Sequence, residues 1–547
     1  MKKYLLIILT GSLTITGFSQ KRKVDLLVFN AKIYTVDAKF SVASAIAVKD
    51  GKIEAVGNSN IISAKYEGKQ TINAQGKYVY PGFIDAHSHF VSYAMSLQKV
   101  NLLDTKSWDE VVQRVQAFAK EKNIGKGEWI TGRGWDQNDW SEKEFPNKEK
   151  LDQLFPDNPV LLQRVDGHAA IANQRALDIA GVQAGYTLTG GTVEVKNGEL
   201  TGILVDNATG LVSSKVPGPS RTKALEALKQ GEKNCFVVGL TTVSDCGLDA
   251  NVITALDSLQ KGGVLRMRVF AMLSDAPGNY AFAFKNGKIK TDRLNVQAFK
   301  VYADGALGSR GAALLQPYSD KPEWSGFLLS NPEHFDSVAA LLYSKNWQMC
   351  THAIGDSGNR TMLKIYGKYL KGKNDRRWRI EHAQVVNKND FALFGRYSII
   401  PSVQPTHATS DMPWAGDRLG AERVKGAYAY KQLLQENGWL PLGTDFPVED
   451  ISPIKTFYAA VFRQDAKGFP AGGYQVENAL TREEALKGMT LWAAKAQFEE
   501  KEKGSLEKGK WADFVILDCD LLHAKAQEIL NTHVLSTYVG GTRVYSR

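Results

Sequence analysis

Apolar and polar positions divide this chain into three regimes. Residues 24–80 and 501–547 carry short alternating runs broken by turn residues, the pattern of half-buried strands. Val24–Phe29 reads as a strand and Ala31–Tyr34 as its continuation. Ala45–Val56 reads as a hairpin turning at Asp50-Gly51, a dipeptide suited to the positive φ angles of a tight turn. At the far end, Lys510–Asp518 is a strand, and Val534–Tyr545 is a hairpin turning at Gly540-Gly541. Two β-rich ends around a long middle predict one small sheet domain built from both termini.

From residue 81 the period changes. Short apolar runs alternate with helical stretches, which predicts a parallel α/β sheet. Tyr78–Ile84 runs into His87 and His89. Further runs are Leu240–Cys246, Val296–Asp304, Trp347–His352, Trp378–His382, Ile399–Val403 and Trp439–Asp445. Most deliver a histidine, lysine or aspartate within the run or at its end. That is the arrangement of a TIM-like (β/α)8 barrel, whose strands present their chemistry at the C-terminal ends. These are seven of eight strands, and Trp129–Arg133 is the expected second. Residues 105–235 are too long for one barrel connection and predict an inserted subdomain. Its expected elements are helices at Trp108–Lys120 and Ala169–Ala180 and a hairpin, Gly190–Leu200, turning at Asn197-Gly198.

Composition narrows the function. The 547 residues carry a formal charge of +10, but Lys and Arg are scattered among acids. No basic stripe marks a nucleic-acid partner. Lys2-Lys3, the apolar run Tyr4–Leu9 and the small residues near Gly17-Phe-Ser19 read as a secretory signal peptide over 1–19. The run is too short for a stable membrane anchor, so a periplasmic or secreted protein is expected. Cys235, Cys246, Cys350 and Cys519 form no Cys-x-x-Cys pair and are read as free thiols. No Gly-x-Gly-x-x-Gly at a strand–helix junction, Walker loop or Gly-x-Ser-x-Gly elbow is present.

The chemistry starts at Pro81-Gly-Phe-Ile-Asp-Ala-His-Ser-His89. Alternate positions in a strand share a face, so His87 and His89 can grip one ion. His352 and His382 close two more apolar strands, and Asp445 closes the last. Imidazole and carboxylate suit zinc or another divalent first-row metal. Lys300 lies inside an apolar strand, where it must pair, lose its charge or be modified.

The Pro81–His89 motif resembles the first metal motif of the amidohydrolase superfamily. The later motifs make the chain similar to amidohydrolase family 3, a group that includes N-substituted formamide deformylase-like enzymes. The resemblance covers nearly the whole chain after residue 22. It implies that the terminal sheets form a β-sandwich over 20–80 and 501–547. The barrel would then occupy 81–104 and 236–500, with the insertion at 105–235. It implies one or two zinc-like ions held by His87, His89, Lys300, His352, His382 and Asp445. Lys300 would be carboxylated to bridge two ions; the competing reading salt-bridges it to Asp304 or lets it reach the surface. A metal-activated hydroxide would attack an N-acyl or N-formyl amide, with Asp445 moving the proton.

The remaining site residues stand on weaker motifs. Arg164-Val-Asp-Gly-His168 resembles a family motif in the insertion, with His168 either an oxyanion donor or a helix cap. Asp304-Gly-Ala-Leu-Gly-Ser-Arg310 is similar to the family's Asp-Gly loop. Arg310 would bind a substrate carboxylate or tie the loop down. Trp135 and Asp136 in Gly132-Arg-Gly-Trp-Asp136, and His407 after the seventh strand, are expected to line the pocket. The insertion's aromatic content hints at a hydrophobic substrate. The expected partner is a small-molecule amide, and self-association stays open. Rival readings are a cyclic amidase or deaminase on the same metal site, and a non-catalytic periplasmic binding protein.

Overall fold

The structure is a computed structural model that describes residues 20–547, so the signal-peptide segment 1–19 lies outside the described residues. Seven parallel strands pair in sequence order. They are β1 (Phe83–Ser88), β2 (Leu240–Leu248), β3 (Arg268–Ser274), β4 (Leu294–Tyr302), β5 (Gln348–Ala353), β6 (Arg379–His382) and β7 (Ile400–Ser402). Segment 440–445 is the eighth stave. Gly443 N–H donates to Val403 O at 3.0 Å and Ala86 N–H donates to Leu442 O at 3.1 Å, which closes a TIM-like barrel.

The barrel's second stave is therefore Leu240–Leu248, not Trp129–Arg133. The strand without a counterpart in the sequence reading is β3. Its run Arg-Val-Phe-Ala-Met-Leu-Ser ends in no ligand-like residue, so nothing polar marks it. Ile130–Trp135 instead lies in a separate seven-stranded sheet, between Val100–Asn101 and Val160–Arg164. That sheet begins at residue 100 and ends at Asp206. Helix Arg221–Val237 packs on the barrel helix Phe90–Ser96, where a Cβ on Gly231 would sit 3.0 Å from Ala94 Cβ. The inserted sheet thus spans 100–206, shorter at its far end than 105–235.

Ala169–Ala180 is also divided. Ala169–Ala172 is a buried strand, and the helix is Gln174–Ala180, capped by Asn173, whose side chain accepts from Ala176 N–H. A short apolar run does not by itself distinguish strand from helix. The hairpin Gly191–Lys196 and Glu199–Asp206 turns at Asn197 and Gly198, with φ of 55° and 84°.

The terminal sheets pack face to face. One has four strands, all from residues 22–73, and the other six, from both ends of the chain. Leu26, Val28 and Ile46 of the first meet Ile33, Val79, Phe514 and Tyr538 of the second. Asn30, at φ 54°, turns the chain from one sheet to the other, so Lys32–Tyr34 does not continue the first strand. Likewise Tyr78–Ile84 is two strands. Tyr78–Pro81 belongs to the sandwich and β1 to the barrel, with Gly82 as the passage. A Cβ on Gly82 would collide with the Thr241 side chain on β2. Gly82→Ala should lower stability by about 1–3 kcal/mol through overpacking. Thr241→Ala in the same chain should restore part of the loss. Denaturant unfolding measures both, and a Gly82→Ala midpoint equal to wild type would show that the passage is loosely packed.

Candidate metal centre

Five of the eight staves bring candidate ligands to the barrel mouth: His87 and His89 from the first, Lys300 from β4, His352 from β5, His382 from β6 and Asp445 from the last, and they converge because the strands are parallel. Ligand atoms of His87, His382 and Asp445 lie within 4.8 Å of one another. His87 Nε2 is 3.4 Å and His89 Nε2 3.2 Å from Asp445 Oδ1. Yet that oxygen accepts no hydrogen bond within the protein. Ring nitrogens face a buried carboxylate oxygen without bonding to it, and a shared cation fits that arrangement. Burial pushes the Asp445 carboxyl up, but His87, His407 and His89 outweigh it and hold Asp445 well below its ordinary value. His382 and Asp445 carry φ of 70° and 64°, a strained left-handed turn at each strand end that aims the side chain inward.

The imidazoles are oriented from behind. His87 Nδ1–H donates to Glu381 Oε2 at 2.5 Å, and His382 Nδ1–H donates to Gln404 Oε1 at 2.7 Å. With the proton held on Nδ1, each Nε2 keeps its lone pair for a metal. Glu381 is held in turn by Arg379, whose Nε lies 2.7 Å from Glu381 Oε1. Burial raises the Glu381 carboxyl, and Arg379 followed by His87 drives it far down. Lys300, fully buried on β4, places Nζ 3.3 Å from His87 Nε2 and makes no ion pair with Asp304. His352 sits beside His382, with ring centroids 4.6 Å apart.

A cavity of about 580 Å³ opens above these groups. Its wall includes His89, Lys300, His352, His382, His407 and Asp445 from the barrel, and Asp136 and His168 from the insertion. His407 bridges Asp445 Oδ2 at 3.3 Å and Glu449 Oε1 at 3.0 Å. His168 Nδ1–H donates to Asp206 Oδ1 at 2.6 Å, and its ring lies 4.9 Å from that of His352. The helix-cap alternative for His168 is set aside, since Asn173 caps that helix.

Three expected site residues lie elsewhere. Trp135 is fully buried in the insertion core, donating Nε1–H to Leu162 O and packing on Trp140. A bulge between Arg133 and Trp135 turns it away from the cavity. The insertion's aromatics fill that core, so they give no sign of a hydrophobic substrate. Asp304 accepts backbone N–H bonds from Ala313, Ile354 and Gly355 and is a loop clamp. Arg310 is paired with Asp320, which ties the loop down. Asp136 reaches the wall but is held by Arg164.

Sequence reasoning assigned no role to Glu381, Arg379, Glu449, Asp206 or Arg133. The signal for the first two was present, because Arg379 and Glu381 alternate within the apolar run that ends at His382. Two opposite charges on one face of a buried strand must pair. Glu381→Gln should leave Arg379 uncompensated and cost about 3–5 kcal/mol. It should also weaken metal binding about 10- to 100-fold. Metal titration alongside denaturant unfolding checks this, and unchanged metal affinity would refute Glu381's orienting role.

Comparison with known proteins agrees with this geometry. Residues 70–545 match the model of the amidohydrolase family. Protein LONG AFTER FAR-RED 3 of Arabidopsis thaliana is 34% identical over 542 residues, 95% of this chain and 91% of that protein. N-substituted formamide deformylase of Arthrobacter pascens is 27% identical over 548 residues, 96% of this chain and 98% of that protein. The crystal structure of an uncharacterized metal-dependent hydrolase from Pyrococcus horikoshii superposes with a TM-score of 0.74 at 29% identity. It covers 92% of this chain and 99% of its own. A hydrolase therefore replaces the binding-protein alternative: the chain belongs to the amidohydrolase family and is a metal-dependent hydrolase.

Proposed function

We propose that the cavity hydrolyses a non-peptide carbon–nitrogen bond, the N-acyl or N-formyl amide of a small molecule. The observation that carries this reading is the setting of Asp445. One oxygen faces His87 and His89 unbonded, and the other is held by His407. His87, His89, His382 and Asp445, with Lys300 and His352 beside them, would hold one or two divalent ions. The donor set suits zinc. Bound there, an ion supplies Lewis acidity toward a carbonyl and a water of lowered pKa.

The chain's own groups do the rest. Asp445 accepts the proton released as water attacks and returns it to the leaving nitrogen. His407, clamped by Glu449, holds Asp445 Oδ2 in place for that transfer. His168 keeps Nδ1–H on Asp206, so Nε2 is the atom it offers to the cavity. In its protonated form His168 donates to the developing oxyanion. Asp206 favours that form, and burial opposes it without prevailing. The name of the Arthrobacter pascens relative makes N-formyl amides the first compounds to assay.

Carboxylation of Lys300 belongs to the same reading. Its neutral amine would bond carbon dioxide, release one proton to solvent and become an anionic carbamate, a donor suited to holding divalent ions there. The support is a lysine buried inside a strand and without a carboxylate partner among the described residues. Export through segment 1–19 is likewise proposed, on the basis of its charged and apolar pattern. N-terminal sequencing of the mature chain tests it.

Chelation should abolish turnover of N-formyl amides, and zinc should restore it. Asp445→Asn should lower kcat about 10²- to 10⁴-fold while the histidines still retain metal. Full activity in that variant would sink the mechanism. Metal analysis with ¹³C-bicarbonate NMR reads the Lys300 step. Two ions and a carbamate resonance support it, whereas one ion and a bare lysine leave a mononuclear hydrolase.

A further inference from the structure

The barrel supplies the reacting groups, but the insertion forms the facing wall. One cation on that wall stands apart. Arg133 lies on Ile130–Trp135, where the bulge at Gly134 sends Trp135 into the core and leaves Arg133 against the cavity. Gly134 holds φ 116°, and a Cβ there would meet Leu103 N at 2.7 Å, so the bulge requires glycine.

The guanidinium is oriented without being neutralised. One amino group donates to Val165 O at 2.8 Å and the other to Gln163 Oε1 at 3.3 Å, both uncharged acceptors. Its Nε is buried and has no partner. The other arginine on the wall, Arg164, is bound by Asp136 and Asp166, and Lys455 is bound by Asp450. Arg133 has no ion pair among the described residues. Burial depresses its pKa, the expected effect of holding an unpaired charge in a poorly solvated place. Beside it, burial and then the charge of Arg133 depress Lys99. The charges of Asp445 and Asp166 offset that burial only in part, and two neighbouring cations with no ion pair among the described residues are costly unless a ligand supplies one. A fixed guanidinium with spare N–H groups matches a carboxylate in shape and charge.

We infer that Arg133 is a specificity-determining residue that receives a carboxylate of the substrate, carried beyond the scissile amide. The substrate class is then an anionic N-acyl or N-formyl compound of the N-acyl amino acid type. This rests on the amide reading above. The sequence reading offered Arg310 either as a carboxylate-binding residue or as a tie for its loop. The structure spends Arg310 on Asp320 and leaves Arg133 free on the cavity wall. Asp445 and then Asp166 are the carboxylates whose charge reaches Arg133, and neither pairs with it: Asp445 faces His87, His89 and His407, and Asp166 is held by Arg164.

The test compares N-formylphenylalanine, in both enantiomers, with N-formylphenethylamine, which differs only by the carboxylate. Calorimetric titration into the metal-loaded full chain should show one enantiomer bound about 10- to 100-fold more tightly than the neutral compound. Arg133→Gln should bring that ratio close to one, and Arg133→Lys should keep part of it. Thermal unfolding of both variants checks that they fold. Equal binding, tighter binding of the neutral compound, no binding of either, or a preference that survives in folded Arg133→Gln overturns the assignment. Turnover is read separately. A preference for the anion without hydrolysis of any of these compounds would sink the amide reading and leave Arg133 in its role. Hydrolysis without the preference would do the reverse.

Discussion

The site exists only because the barrel closes between its first and last staves. Asp85 is the clasp. Its Oδ1 accepts His87 N–H and Thr444 N–H, each at 3.1 Å, and its Oδ2 accepts Thr444 Oγ–H at 2.7 Å. Asp85 and Thr444 are 359 positions apart in sequence. Next to the clasp, Asp445 N–H donates to His87 O at 2.8 Å. A Cβ on Gly443 would stand 2.5 Å from His87 N, so the two staves meet this closely only at a glycine. Each hydrogen bond to a carboxylate contributes about 1.5–3 kcal/mol. The bonds that finish the barrel also set His87 and Asp445 face to face, so folding and assembly of the centre are one event.

Behind that seam lies a buried ionic chain, His87–Glu381–Arg379, extended by Arg379 to Ala86 O and Ser402 Oγ. Desolvating such charges costs several kcal/mol per ion, so the chain is a poor source of stability. What it provides is a fixed tautomer. The same arrangement recurs at His382 with Gln404, at His168 with Asp206 and at His407 with Glu449. In every case Nδ1 is engaged from behind, and Nε2 is the nitrogen presented to the site. The chemistry thus depends on these acceptors, and the burial of Glu381, Gln404 and Asp206 keeps water from competing for the Nδ1 protons they hold.

Much of this was legible in the sequence, because strand ends that carry function break the apolar pattern. Lys300 inside an apolar run, and His352, His382 and Asp445 at the ends of three more, are local signals. Where no polar residue interrupted the run, as in β3, the strand went unseen. Gly82 was missed because the run Tyr78–Ile84 is uniformly apolar although it crosses from one sheet to another. Trp135 was misplaced by a single bulge, which moves every later side chain to the opposite face. Asp304 and Arg310 follow the lysine strand in an Asp-Gly loop. Their partners, Gly355 and Asp320, are set by tertiary packing that no local pattern encodes. Sequence periodicity reports which face a residue occupies, and it is silent about which of several acceptors on that face the residue will meet.

The two cores divide the labour of the molecule. His87 and Asp445 are locked to one another through the seam, and His87 also to the buried ionic chain, so moving the main chain of either disturbs closure itself. The insertion packs around two apolar clusters of its own, one with Trp135, Leu162 and Ile171 and one with Leu161, Leu177 and Leu204, both separate from the barrel core. Side chains on its cavity edge can therefore differ in charge or size without reaching the hydrogen bonds that orient His87 or Asp445. A barrel whose reaction centre is over-determined, faced by a wall that is stabilised independently, separates what is cleaved from what is recognised. The bulge at Gly134 is where that separation becomes concrete, since it assigns one residue of a single strand to the core and another to the cavity.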